Sequence, residues 1–205
     1  YGISQGHILG GTFMALTPHI TRGALGAGGA GFSHMMMRSK NFAQFLLLIN
    51  ANIVDSFEQA RLVALTQSVA DRFDPITYAP FVRDGSLLTG PVSRQILLQV
   101  GIGDPQVPNL AALMHARALG IPQLKPAVRT HAGMAELDGP LESAFVEFSF
   151  GLTAPYPGDV GTPPIHDNEV HEGVRRTQAG QRMIDGFFRK DGMITATCDG
   201  PCDPE

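Results

Sequence analysis

The chain has 205 residues, enough for one sizeable core or two small domains. A net charge of −4 and a pI of about 6.0 argue against the basic face that nucleic-acid binding requires, so no nucleic-acid partner is expected. A hydrophobic fraction of 43% with 17% charged residues excludes a disordered chain, and no uncharged apolar run reaches the ~18 residues of a membrane span.

The first residues already carry a motif. Gly2-Ile3-Ser4-Gln5-Gly6 is a G-x-S-x-G pattern, followed at once by apolar positions Ile8, Leu9, Phe13, Met14 and Leu16 at helical spacing. This spacing suits a serine projected from a sharp strand-to-helix turn, with small residues two before and two after it to avoid clashes. The following helix would aim its positive end at Ser4, and the Gln5 N–H would face a developing oxyanion. The plainer reading is a glycine turn before a helix. His7 falls beside the turn and is expected to line a substrate site.

Residues 31–90 read as a helical insertion or lid after a first unit at 1–30. Helices are predicted over 41–50 and 56–73, the second with Phe57, Leu62, Leu65 and Val69 at helical spacing. Met35, Met36, Met37 and Phe42 offer a flexible apolar surface for an acyl or aromatic group, or simple packing between helices.

Residues 91–190 carry the rest of the core. Gln95–Ile102 is a short apolar run of branched residues, predicted as a buried parallel strand. Asp104 follows it in a Gly-Asp-Pro loop, and a helix is predicted over 110–119, ended by Gly120. An aspartate just past a strand's carboxyl end stands where open α/β sheets place their chemistry, or else serves as an ordinary turn residue. A second strand is predicted over 144–150, then a Pro- and Gly-rich loop, then a last helix over 174–188; 132–139 reads as a loop. His171, just before that helix, is the leading candidate for a base, with His166 as the alternative. His166, Asp167, Glu169, His171 and Glu172 form a dense patch of possible ligands, but their spacing is not H-E-x-x-H, and no metal or other cofactor is expected. Cys198 and Cys202 flank a Gly-Pro turn in the tail (191–205), a spacing that predicts a disulfide and an oxidising compartment; two free thiols are the alternative. The acidic tail, with Asp199, Asp203 and Glu205, reads as solvated.

The order Gly-Ile-Ser-Gln-Gly, then Gly-Asp-x-x-Val-Pro around Asp104, then a histidine ahead of the final helix resembles the C-terminal half of an α/β-hydrolase, over Ser4 to about Phe188. The resemblance implies an α/β fold with a parallel sheet flanked by helices. It implies Ser4 as nucleophile, Asp104 as acid, His171 as base and Gln5 as one oxyanion donor. It is similar to secreted or envelope esterases and lipases acting on small or lipid-like esters, ahead of amides. In that fold several strands, and the second oxyanion donor, precede the elbow. The expectation is therefore a two-chain enzyme, with an upstream fragment as partner. The contrasting class is a non-catalytic module of the same fold that binds a ligand. An N-terminal-nucleophile amidase is disfavoured, because Tyr1 rather than Ser, Thr or Cys stands first.

Overall fold

The computed structural model describes residues 1–85, 87 and 92–203; residues 86 and 88–90 of the insertion, residue 91, and residues 204–205 of the tail lie outside the described residues. The sheet is built from β1 (Gly2–Ile3), β2 (Arg22–Gly26), β3 (Gln95–Gly101), β4 (Gln123–Leu124), β5 (Glu136–Leu137) and β6 (Ala144–Phe148). All pairings are parallel and the order is β1-β2-β3-β6-β4-β5, so β6, last in the chain, inserts between β3 and β4.

Parallel strands must be covered on both faces, and side-chain alternation supplies the two surfaces. Ile96, Leu98 and Val100 of β3 pack with α1 (Gln5–Leu16), α5 (Pro75–Val82) and α6 (Asn109–Ala118). Leu97 joins Ala144, Val146 and Phe148 of β6 against α7 (Val170–Arg176) and α8 (Gln178–Phe188). The insertion holds α2 (Phe32–Met36), a 3-10 turn at Lys40–Phe42, α3 (Ala43–Asn52) and α4 (Ser56–Ala70). Two buried polar groups tie these layers. The Arg94 guanidinium donates to the carbonyls of Thr17 at the end of α1, Ile20, and Val82 at the end of α5. Cations are favoured at such helix C-termini. Glu147 of β6 accepts from Arg129 at 2.6 Å and faces His131 at 2.7 Å; burial would raise its carboxyl, but these contacts hold it below the usual range.

Several expected elements differ. The helix over 174–188 is two helices. Thr177 adopts extended backbone between them, and its hydroxyl accepts from Gly180 N at 3.0 Å, capping α8. The loop over 132–139 contains the edge strand β5, too short for periodicity to reveal. β2 carries two glycines and no β-branched residue in Arg22-Gly-Ala-Leu-Gly, so its sequence carries no strand signal even though four of its five residues are buried. The Cys198–Cys202 pair lies at disulfide distance, with Cα atoms 5.3 Å apart.

Candidate functional site

Ser4 sits between β1 and α1 with φ 58° and ψ −120°. That is a strained conformation for a residue with a Cβ. Its amide donates to Gly26 O at 2.9 Å, pinning the turn to the end of β2. A serine starting a helix ordinarily turns its hydroxyl onto the helix amides; Ser4 makes no such bond, which leaves Oγ outside the helix. Gly2 is required here, because a methyl group on it would lie 2.2 Å from Gly6 O. Gly6 is not, since a methyl there meets nothing within 4 Å. The expectation of two sterically required small residues is thereby corrected to one. The Gln5 N–H, in the first turn of α1, has no intrahelical acceptor.

Asp104 is buried beyond the end of β3 and divides its carboxylate. Oδ1 accepts from Gln106 N at 2.8 Å and Val107 N at 3.0 Å, the turn role anticipated for it. Oδ2 lies 2.7 Å from His171 Nδ1, and both side chains are almost fully buried. The Asp104 loop is held by Asn109, whose side chain accepts from Gly103 N and donates to Gly101 O, each at 2.7 Å. Asn168 donates to Gly103 O at 2.9 Å and accepts from Val170 N at 3.2 Å, joining the acid loop to the start of α7. Sequence reasoning missed both asparagines. The only local signal was their position at the start of a helix or just before it, a common and unspecific place for Asn.

His171 lies within the first turn of α7, not ahead of a final helix, because the chain enters α7 through Glu169 in the left-handed region (φ 64°). His166 is exposed, and among the described residues no hydrogen bond joins it to Asp104. The other candidate ligands diverge: Asp167 pairs with Lys40 at 3.1 Å and Glu172 with Arg175. β1 and β3 flank β2, so the chain reaches Ser4 and Asp104 at the same end of the sheet, from strands about 10 Å apart. α7 bridges this gap: Val170 packs over Gly101 at one end, and Arg175 acts electrostatically on the Tyr1 hydroxyl at the other. Among the described residues, no hydrogen bond joins Ser4 Oγ to His171.

The expected substrate-facing residues separate into two groups. His7 is fully buried, its Nε2 2.9 Å from His115 Nδ1, so it belongs to the interior and lines no substrate surface. Met35 is likewise buried, packed with Val107 and Ala111, and is corrected to a core role. Met36 and Met37 are half-buried, Met36 Sδ meeting Thr66 Oγ1 at 3.7 Å. Phe42 is half-buried edge-on to Phe32, with ring centroids 5.4 Å apart. The insertion is anchored to the acid loop by Lys40 N on Pro105 O and by Ser39 Oγ on Gln106 O, which places its start at the carboxyl ends of the strands. Comparison of the chain with protein-family models, with curated proteins and with solved structures found no match.

Proposed function

We propose that this chain is an α/β-hydrolase-type serine hydrolase that cleaves carboxylic esters. The observation that carries this reading is the buried 2.7 Å Asp104–His171 pair at the same sheet end as a serine held at φ 58° in a strand-to-helix turn. An ordinary turn has no use for all three.

In this mechanism His171 Nε2 accepts the proton of Ser4 Oγ as Oγ bonds to the ester carbonyl carbon. The carbonyl electron pair moves onto oxygen, which the Gln5 N–H stabilises. The tetrahedral intermediate collapses, the alkoxide leaves and takes the proton from His171. Water then repeats the sequence on the acyl-enzyme. Asp104 holds the Nδ1–H tautomer of His171 throughout and stabilises its charged form. The half-buried Met36, Met37 and Phe42 would receive an apolar acyl group. The disulfide-distance cysteines favour a secreted or envelope location.

The test is labelling of the isolated protein, with whatever co-purifies, by a fluorophosphonate, with the adduct located by peptide mass spectrometry. A Ser4 adduct, lost in Ser4→Ala while folding persists, supports the hydrolase. A folded protein that takes no label is a binding module instead.

A further inference from the structure

His7 lies within the first turn of α1 and His115 within α6, and neither has any exposed surface. Their facing nitrogens are 2.9 Å apart, while the rings are tilted by 41°, so the contact is a hydrogen bond between ring edges rather than a stack. Burial holds both rings neutral, pushing His115 down to about 4 and His7 well below the usual imidazole range. His7 Nδ1 and His115 Nε2 have no partner of normal hydrogen-bond geometry, although the Gly26 carbonyl lies close enough to favour a proton on His7. Of the two facing nitrogens, one carries the proton and donates to the other.

Room for the rings comes from two glycines. A methyl on Gly28 would lie 2.4 Å from His7 Cβ, and one on Gly11 would lie 2.8 Å from His115 Cε1. Two aliphatic side chains would fill such a space without burying four ring nitrogens, two of them unpartnered. Packing alone therefore does not account for the pair.

Its position does. Ser4 N is bonded to Gly26 O, the carbonyl that His7 also faces. α6 opens with Asn109, whose side chain fixes the two sides of the Asp104 loop. We propose that the His7–His115 contact is a positioning clamp: it fixes α1, which carries Ser4, to α6, which carries the Asp104 loop, and so sets the gap across which His171 works. Neither ring touches substrate. The clamp rests on the serine-hydrolase reading and adds to it the residues that hold the nucleophile in register. Its charged neighbourhood is Asp74, which faces His115 from the start of α5. That carboxylate is itself engaged by Gly31 N, Phe32 N, Gln67 Nε2 and Ile76 N.

The test is the rate of fluorophosphonate inactivation, with melting temperature and amide exchange at Ser4 and Gly103 measured on the same proteins. His7→Leu should lower the maximal inactivation rate by about tenfold to a hundredfold, with the half-saturating probe concentration changed by no more than about twofold. Exchange at Ser4 and Gly103 should accelerate in parallel. Glutamine can present an oxygen where His7 Nε2 stands, and asparagine a donor where His115 Nδ1 stands, so His7→Gln and His115→Asn should react within about threefold of the parent. If His7→Leu does not fold, His7→Asn, too short to reach His115, takes its place against His7→Gln. A folded Leu or Asn variant with parental rate and exchange overturns the clamp, as does a Gln variant as slow as either. A parent protein that takes no label sinks the hydrolase reading instead, and amide exchange then decides the clamp by itself.

Discussion

The carboxyl ends of β1, β2 and β3 and the helical insertion are built on opposite terms. At the strand ends, polar groups are buried and engaged: Asp104, His171 and Asn109 are all inside and hydrogen-bonded. Across α3 and α4, apolar groups are outside: Leu48 is 64% exposed, Phe57 69% and Val54 91%. The first region departs from the rule that polar groups face water, and the second from the rule that large apolar groups do not. Buried polar groups cost free energy unless paired, so the strand ends fold into one arrangement. The apolar surface of the insertion imposes no such geometry. Positional accuracy therefore belongs to the strand ends, and tolerance to the insertion.

The largest test of this difference is Asp104→Asn. It keeps the loop's size but removes the charge that holds His171, and Ser4 labelling should slow by about 10³–10⁴-fold. A loss under about tenfold would mean that the buried pair is structural rather than catalytic. Next is Phe145→Ala in the doubly covered β6, which should cost about 3–5 kcal/mol in denaturant unfolding. A cost below about 1 kcal/mol would show a sheet less tightly packed than its burial implies.

Acid comes third. As pH falls below about 6.5, the unfolded chain protonates His7 and His115, while the folded chain keeps both rings neutral, His115 down to about 4. The unfolded state then binds more protons, so stability is full above that window and falls through it. For His115 alone the loss at the low end is about 3 kcal/mol. His115→Asn should flatten the decline in a urea titration across this range; an unchanged slope would place the acid sensitivity elsewhere. The smallest effect belongs to the insertion. Leu48→Ser should change stability by less than about 0.5 kcal/mol. A loss above about 1 kcal/mol would show that α3 is covered in solution and would erase the contrast drawn above.

Legibility followed the range of the interactions. The strand at Gln95–Gly101 and the helix at Asn109–Ala118 could be read because apolar period and glycine punctuation are local properties. The same spacing predicted α4 over 56–73, yet all four expected apolar positions, Phe57, Leu62, Leu65 and Val69, are exposed, while Val63 and Ala70 are buried. Periodicity announces a helix, but a neighbour must exist to decide which face is covered.

The sequence by itself determined the Gly2–Gly6 turn motif, the strand before Asp104, the cysteine spacing and the chain order of serine, aspartate and histidine. Those are properties of a few adjacent residues and of backbone sterics. Tertiary structure alone decided between His171 and His166 as the histidine Asp104 meets, that His7 pairs with His115 inside the core, that Met35 is interior, and that β6 inserts beside β3. Each of those rests on contacts between residues far apart in the chain. Burial decides their energy, and burial is a property of the assembled layers, not of any segment read alone.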